Sequence, residues 1–542
     1  MHATHAVFNQ PPPFEDVNLF TTDIPLLEAL RREGAAWAEE RARDFGETVG
    51  RRETIAWGFQ ANEHPPELRT HDLRGERIDE VAFHPAWHAL LRLGVAHGLH
   101  ALPWREPQPG AHVARAALFM LLAEVEAGVG CPLSMTYSVV PALRTQPELA
   151  VQWEPRFASP DYDPRLVPVE QKAGALCGMA MTEKQGGSDV RANTTTARAL
   201  GVGGPGGEYE LTGHKWFCSA PMCDTFLVLT QTPGELSCFL LPRFTPGGAR
   251  NRFHLQRLKG KLGNRSNASS EVELRSAWAR LVGEEGRGVQ TILEMVNHTR
   301  LDCVIGSAAG MRSGTARALH YATHRRTFGK LLIDQPLMRN VLADLAVESE
   351  AATVAMMRLA RAYDSEEGSA FRRLATAVLK YWTCKRAPVH AAEALECLGG
   401  NGYVEEWGLA RIYREAPLNS IWEGSGNVQC LDGLRALQKS PEPLAALFDE
   451  IGEARGGDAR LDAFVEDLRA ELGRAGDLET RARRLVERLA LALQASLMVR
   501  HSPQAIADAF CASRLGGDGG RAFGTLAVGT DFGGILERHY PV

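Results

Sequence analysis

The chain has 542 residues and a formal net charge of −6; 44% of its residues are hydrophobic and 23% are charged. This length predicts three or four domains of roughly 150 residues each, and the composition is typical of a globular protein. The acidic balance argues against a general polyanion binder, so contact with nucleic acid would need a local basic patch.

The cysteine pattern and the N-terminus indicate the compartment. The ten cysteines are scattered without a Cys-x-x-Cys pair, which argues against a disulfide framework or a zinc site and favours a cytoplasmic protein. Residues 1–13 lack a basic segment followed by an apolar one, so no signal peptide is expected. No apolar run reaches ~18 residues, so no membrane span is expected either.

The first 176 residues are predicted to form an N-terminal helical domain. Residues 1–20 are polar and rich in proline, which indicates an extended arm that is either loosely ordered or packed on a neighbouring subunit. From Ile24 onward apolar residues recur at helical spacing, beginning with Leu26, Leu27 and Leu30.

Residues 177–287 are predicted to form a β-domain. Strand-like runs at residues 209–211, 225–230, 237–241, 253–258 and 271–274 are separated by Gly- and Pro-rich turns. Short strands at this spacing are typical of a small sandwich or barrel. The Gly-rich segment 201–207 has the composition of a phosphate-binding loop. However, no Lys-Ser/Thr pair or helix start follows it, so a hairpin tip is favoured.

Helical patterns return after residue 288. Residues 290–319, 336–364 and 370–398 are mostly apolar on one face, which predicts a helical bundle over residues 288–440. Pro441 and Pro443 mark a joint, and residues 441–542 are predicted to form a further, mainly helical domain. The expected fold class is therefore mainly α with a central β-domain.

One stretch, residues 411–431, places a carboxylate beside residues that favour a general base next to a bound ligand. Glu423 follows Trp422 and precedes a Gly-Ser-Gly turn that leads into a predicted helix. A carboxyl group held against aromatic surface tends to have a raised pKa, which suits a general base. Glycines let backbone approach a ligand closely. The alternative is an ordinary helix-capping loop with a solvated Glu423.

Four further segments offer groups to a cofactor. Residues 181–189 (MTEKQGGSD) present hydroxyls and small residues to a planar, acceptor-rich ring, and residues 212–219 (TGHKWFCS) place aromatic surface before a hydroxyl. Residues 325–330 (RRTFGK) put cations at a predicted helix end, where they can hold a pyrophosphate. Residues 398–403 (LGGNGY) form a Gly-rich turn. Taken singly, each segment is also explained as a loop, a strand or a helix cap.

Together and in this order, the segments resemble the acyl-CoA dehydrogenase family over residues 80–440. Residues 7–11, 260–268 and 419–427 extend the resemblance to nearly the whole chain. They are similar to the AidB branch, flavoproteins associated with the bacterial adaptive response to DNA alkylation. The resemblance implies an acyl-CoA dehydrogenase-like fold with an added C-terminal helical domain, and FAD bound between the β-domain and the bundle. It also implies a homo-oligomer, expected to be a tetramer, because a neighbouring subunit supplies part of the cofactor site.

The resemblance carries cofactor roles over to matching positions of this chain. It implies contact with the flavin ring and ribityl chain at Met181, Thr182, Gly187 and Ser188, and positions near the reactive edge for Phe217 and Ser219. It implies contact with the adenosine-pyrophosphate end at Arg325, Phe328, Gly399, Gly400 and Gly402, and further cofactor contacts at Ser425 and Asn427.

The same resemblance makes Glu423 the base that removes a substrate α-proton while hydride leaves the β-carbon for the flavin. Some relatives place the base on an earlier helix, but the matching site near Thr299 carries no carboxylate. The expected substrate is a short or branched acyl thioester. Arg300, Trp422 and Arg435 are candidate residues of the substrate channel; an ion pair with Asp302 is the alternative for Arg300.

The AidB resemblance also raises DNA binding, with dehydrogenase activity weak or vestigial. Residues 441–542 contain 12 Arg, no Lys and 16 Asp plus Glu, so their formal charge is 12 − 16 = −4. A local stripe at Arg481, Arg484 and Arg488 falls on one helical face, and Arg514 and Arg521 flank a Gly-rich loop. A solvated stripe paired in part with Glu479 and Glu487 is the alternative. The 17 histidines show no metal-ligand spacing, so no metal site is expected.

Overall fold

The computed structural model describes residues 4–233, 235–474 and 476–541. Its helices are α1 Ile24–Leu30, α2 Glu39–Gly50, α3 Arg52–Glu63, α4 Pro85–Ala96, α5 Leu102–Arg105, α6 Ala111–Val125, α7 Gly130–Leu143, α8 Pro147–Phe157, α9 Gly288–His324, α10 Pro336–Arg361, α11 Ser369–Glu396, α12 Leu409–Glu415, α13 Gly426–Lys439, α14 Glu442–Gly452, α15 Ala459–Leu472, α16 Leu478–His501, α17 Gln504–Phe510 and α18 Phe532–His539. In the described part of the chain, no helix is both long enough and apolar enough to cross a membrane.

The strands confirm the predicted β-domain. They are β1 Glu67–His71, β2 Arg77–Ala82, β3 Cys177–Ala180, β4 Thr196–Ala199, β5 Glu208–Ser219, β6 Thr225–Thr232, β7 Glu235–Pro242, β8 Phe253–Leu258, β9 Ser269–Leu281, β10 Arg326–Thr327 and β11 Lys330–Leu331. Strands β6, β4, β5, β9 and β7 follow one another in the sheet, and β7 pairs back with β6, which closes a small barrel. Segment 201–207 connects the antiparallel strands β4 and β5, as expected for a hairpin tip.

The chain divides into two compact units. Unit 1 contains residues 1–55, 109–125 and 303–542, and unit 2 contains residues 56–108 and 126–302. These units do not follow the four segments proposed from the sequence, since the N-terminal helices are shared between them; the four-segment division stays a prediction. The barrel lies in unit 2, and the long helices α10 and α11 form the buried centre of unit 1.

The structure adds two features to the prediction for the N-terminal 176 residues. The antiparallel hairpin β1–β2 interrupts the helices, and its polar alternation is too short to stand out among them. The N-terminal arm lies against its own chain, where the backbone N–H of Asp16 donates to Gly50 O at 2.8 Å. His320 in α9 donates to Pro12 O at 2.9 Å. These contacts join residues far apart in sequence, so no local sequence pattern could have predicted them.

Carboxylates on α10 hold down the end of the chain. Glu348 pairs with Arg514 at 3.0 Å, and Glu350 pairs with Arg538 and His539, each at 3.0 Å. Burial raises the pKa of both carboxyls, but the attached cations outweigh it and hold both pKa values at about 2. Because the folded pKa lies below the unfolded one, this stabilisation is present above about pH 5 and is lost as pH falls towards 2.

Replacing Glu350 by Gln should therefore lower the free energy of unfolding at pH 7 by about 3–5 kcal/mol, because the Arg538 guanidinium loses a buried charged partner and His539 loses its carboxylate acceptor. The difference from wild type should shrink as pH falls below 5, since the wild-type carboxyl also becomes neutral. Denaturant unfolding at a series of pH values measures this, with exposed Glu367→Gln as the matched control. A difference in unfolding free energy that does not change with pH would contradict the proposed stabilisation by the Glu350 carboxylate.

Candidate functional site

In unit 2, a buried carboxylate organises the loop that follows β3. Glu183 is fully buried, and its oxygens accept from the Thr194 N–H at 2.7 Å, the Thr194 hydroxyl at 3.0 Å and the Thr195 N–H at 3.2 Å. Gln185 Nε2 adds a further bond at 2.8 Å. The loop is therefore folded around one side chain of its own.

An ion pair fastens this loop to the barrel. Lys215 of β5 donates to Glu183 at 2.8 Å and to Leu229 O at 2.7 Å. Burial disfavours the ammonium and lowers the pKa of Lys215 to about 8, although Glu183 partly offsets this. Burial raises the pKa of Glu183, but Lys215 and the donated hydrogen bonds outweigh it and hold that pKa well below its usual value.

The residues predicted to face a flavin ring lie on this loop. Met181 and Thr182 are half-buried, and Gly187 and Ser188 are exposed. A Cβ at position 187 would lie 2.6 Å from the Thr182 hydroxyl, so the loop closes on itself only with glycine there. Thr182 O accepts from the Trp216 N–H at 2.8 Å, a backbone bond that joins the loop to β5.

Strand β5 supplies aromatic surface beside that loop. Phe217 is 49% exposed, unusual for a large aromatic side chain on a barrel strand. Its neighbour Trp216 is covered by Lys259, whose Nζ lies 3.1 Å from the ring centroid. Ser219 lies at the end of the strand, 3.3 Å from the Ser269 hydroxyl. The Lys259 ammonium also lies 4.7 Å from the centroid of the Phe217 ring. Hydroxyls, a half-exposed aromatic ring and a nearby cation suit a flat, polar-edged heterocycle, so this set fits a flavin.

In unit 1, Glu423 has a strained backbone. Its φ is +59°, a left-handed conformation that non-glycine residues rarely adopt. The following Gly424 has φ +102°, which only glycine tolerates readily. Glu423 is half-buried, and its carboxyl oxygen Oε2 is shielded from solvent, which favours the general-base interpretation over a fully solvated carboxylate in a capping loop.

Two buried donors hold that backbone in place. Lys380, at the centre of α11, donates to Trp422 O at 2.8 Å and to Gly424 O. Gln429 of α13 donates to Glu423 O and Gly424 O, each at 3.1 Å. Lys380 is 1% exposed and Gln429 0%, and neither was among the residues predicted from the sequence. For Lys380, the only sequence feature that could have suggested this role is that a lysine stands on the apolar face of a predicted helix.

A polar chain fixes the indole next to the base. Trp422 Nε1 donates to Asn419 at 3.0 Å, and Asn419 Nδ2 donates to the Ser307 hydroxyl at 3.2 Å. Trp422 is therefore a rigid neighbour of Glu423. Of the other channel candidates, Arg435 is exposed on α13 and Arg300 is buried in α9.

The predicted residues beyond Glu423 have mixed surroundings. Ser425 is half-buried, and Asn427 accepts from Arg483 of α16 at 2.8 Å. Any cofactor contact at Asn427 therefore competes with an arginine of the C-terminal segment.

The Gly-rich turn after α11 contains one glycine fixed by packing and two that are open. A Cβ at Gly402 would lie 2.0 Å from Leu395 O, so Gly402 is required by the fold. Gly399 and Gly400 are exposed with open space beside them, which leaves these two free for a ligand. At the end of α9, Phe328 is 99% exposed with φ +51°, and Arg325 Nη1 donates to Asn9 O at 2.6 Å.

The predicted arginine stripe lies on α16, but its partners differ from those proposed. Arg484 pairs with Glu471 at 2.8 Å. Arg488 is buried and pairs with Asp467 at 2.7 Å and with Glu471. The carboxylates thus come from α15 rather than from Glu479 or Glu487. Arg481 donates to backbone carbonyls at the end of α15.

Four arginines nevertheless line one open cleft of about 830 Å³: Arg460, Arg484, Arg488 and Arg514. Arg514 is held by Asp344 and Glu348, and Arg521 is exposed outside the lining. In the described residues, no group of three or more His, Cys, Asp or Glu is placed to hold a metal ion.

Three family models match the chain. They are the N-terminal domain of adaptive response protein AidB over residues 9–164, the acyl-CoA dehydrogenase middle domain over residues 178–277 and the acyl-CoA dehydrogenase C-terminal domain over residues 286–438. Together these matches cover most of the sequence.

Curated relatives and solved structures agree. The chain is 46% identical to the putative acyl-CoA dehydrogenase AidB of Escherichia coli K12, over 95% of both chains. It is 31% identical to acyl-CoA dehydrogenase family member 11 of Caenorhabditis elegans, over 77% of this chain and 70% of the relative. The crystal structure of C. elegans ACDH-11 in complex with C11-CoA matches 94% of this chain and 93% of that one, with a TM-score of 0.84 and 27% identity. The chain therefore belongs to the acyl-CoA dehydrogenase family of FAD-dependent oxidoreductases that act on CH–CH groups, and within it to the AidB type.

Proposed function

We propose that this chain carries out α,β-dehydrogenation of a short or branched acyl thioester, with Glu423 as the base. The observation that carries the proposal is the strained Glu423 backbone clamped by Lys380 and Gln429. Strain of this kind persists only where the surroundings over-determine it, and it concentrates at functional sites. The C11-CoA complex of the C. elegans relative supports an acyl-CoA ligand, and the rigid Trp422 beside the base favours a compact acyl group.

In the proposed reaction the Glu423 carboxylate accepts the proton from the carbon next to the thioester carbonyl. Lys380 and Gln429 keep the carboxylate aimed, so little reorganisation is needed as the proton moves. When bound, FAD supplies the acceptor for the hydride that leaves the β-carbon. Met181, Thr182, Gly187, Ser188, Phe217 and Ser219 would hold its ring, and the loop they occupy is fixed by Glu183 and Lys215.

We also propose that the chain works as a homo-oligomer, expected to be a tetramer. The hairpin β10–β11 ends in Phe328, which is almost wholly exposed. Tyr403, beside the open glycines of the turn, is 82% exposed. Apolar side chains displayed in this way are typical of contact surfaces. In the family pattern a neighbouring subunit's cofactor would take up this surface.

DNA binding is the second candidate, favoured by the arginine-lined cleft. Phosphates would be the groups such a cleft contacts, in a sequence-independent and salt-sensitive way. Against it, the lining arginines carry carboxylate partners, so much of their charge is already neutralised.

The test of the base is Glu423→Gln, which removes the proton acceptor and keeps the side-chain shape. Anaerobic reduction of bound flavin by a panel of acyl-CoAs, followed by its visible spectrum, should slow by about 10²–10⁴-fold, while FAD content stays at the wild-type level. Exposed Glu406→Gln is the control and should reduce normally. Wild-type flavin that no acyl-CoA bleaches would contradict the proposed substrate class, and rapid bleaching in Glu423→Gln would contradict the assigned base.

Lys380→Met should slow proton abstraction by Glu423 only by changing the position of that carboxylate. It removes the donor from Trp422 O and Gly424 O, so the base loop can leave its strained conformation. We expect kcat to fall about tenfold or more, since small misplacements of a catalytic group are costly, with KM changed less than about threefold. Lys439→Met, on the exposed end of α13, is the control. A rise in KM at constant kcat would argue against the positioning role.

Arg484→Glu tests the cleft as a DNA site, because Arg484 has the most exposed side chain of those lining it, at 68%. Fluorescence anisotropy with a duplex at several salt concentrations should show weaker binding and a salt slope reduced by about one. Arg455→Glu makes the same charge change at an exposed position outside the lining. An equal loss of DNA affinity in both variants would mean that only overall charge matters, and it would contradict the cleft as the DNA site.

A further inference from the structure

We infer that the N-terminal arm is a brace for the hairpin β10–β11 and that Asn9 is its positioning residue. The inference rests on the proposed role of that hairpin in binding the adenosine end of FAD. It assigns to residues 9–14 the task of setting the hairpin's conformation, so that cofactor retention depends on a segment more than 300 residues away in sequence.

The primary contact is a two-point amide bond. Asn9 Nδ2 donates to Arg326 O at 2.9 Å, and the Arg326 N–H donates to Asn9 Oδ1 at 2.7 Å. The Asn9 side chain thus satisfies both the backbone N–H and the backbone C=O of one residue, Arg326, as a residue of a neighbouring antiparallel strand would. Arg326 is the first residue of β10, so the bond fixes the hairpin at its root.

A third bond from the same residue acts on Arg325. The Arg325 Nη1 donates to Asn9 O at 2.6 Å, which limits the orientations of a guanidinium that carries five N–H donors. Asn9 adopts φ +58°, a conformation that asparagine tolerates better than most residues. This φ lets the side chain and the carbonyl of Asn9 reach two successive residues of the hairpin.

The arm is anchored on the C-terminal side of that contact. His320 donates to Pro12 O at 2.9 Å, and Phe14 packs on the His320 ring with centroids 5.2 Å apart. The Arg317 guanidinium lies 5.4 Å from the centroid of the Phe14 ring. These contacts join the arm to the last turns of α9, the helix that leads into the hairpin. Arm, helix end and hairpin are therefore one connected unit.

The experiment is the FAD dissociation constant of the apo-protein, measured by quenching of flavin fluorescence. Asn9→Gly removes the amide but keeps the left-handed φ accessible, so the arm itself is not strained. Loss of two hydrogen bonds to the hairpin should raise the dissociation constant about tenfold. Asn9→Asp keeps the acceptor for Arg326 N and loses the donor, so its value should be intermediate. His5→Ala, in the same arm with its ring on Thr4, should stay within about twofold of wild type.

Hydrogen exchange separates a local brace from general destabilisation. In Asn9→Gly the amides of residues 325–331 should exchange faster, while those of α10 and α11 stay protected. Uniformly faster exchange across unit 1 would overturn the brace. So would an unchanged FAD affinity in Asn9→Gly if Phe328→Ala weakens binding. If Phe328→Ala and Arg325→Ala also leave FAD affinity unchanged, the proposed role of the hairpin fails and the brace fails with it.

Discussion

The buried ammonium of Lys380 is the constraint on which the centre of unit 1 depends. A charge removed from water costs several kcal/mol unless acceptors replace the lost hydration. Here the replacements are backbone carbonyls on either side of Glu423. The loop must curl around the ammonium to supply them, and that curl puts Glu423 at positive φ. The strain at the proposed base and the solvation of the lysine are thus one arrangement, and neither would be stable without the other.

In unit 2 a loop is likewise organised by a buried charged group, but there the charge is negative and the loop supplies hydrogen-bond donors. There a buried carboxylate, Glu183, is solvated by the N–H groups of the loop that it organises, and Lys215 ties it to the barrel wall. In both units a charged group that water cannot reach dictates the path of a polar loop. A loop held in this way is ordered before a ligand arrives, which reduces the entropy lost on binding. The loop after β3 and the loop around Glu423 are therefore both ordered in advance of any ligand.

Periodicity and motif order were enough to predict most of the fold. The five predicted strand runs fall within β5 to β9, and the three predicted long helices are α9 to α11, because burial of one face controls both patterns. Alternation did not reveal the short barrel strand β4 or the extension of β5 to Ser219. Glu423 could be singled out because glycines and an aromatic residue flank it in sequence. Lys380, Gln429 and Asn9 could not be assigned in this way, since each acts on a segment that only the folded chain brings near. A buried polar residue within an apolar helix shows that a partner is needed, but not which partner.

The C-terminal arginines show why summed charge and local spacing predict different things. The total of −4 for residues 441–542 argued against a cationic domain, whereas the spacing of Arg481, Arg484 and Arg488 argued for a cationic face. In the fold, Glu471 of α15 takes up Arg484 and Arg488 together, so the face is an ion-pair network. A phosphate entering the cleft would have to compete with these carboxylates for the arginines. Salt would also screen its attraction to the exposed arginines, so binding would weaken as the salt concentration rises. The proposed DNA site is thus suited to loose rather than to tight, specific binding, whereas the backbone of the proposed base is held by two buried donors.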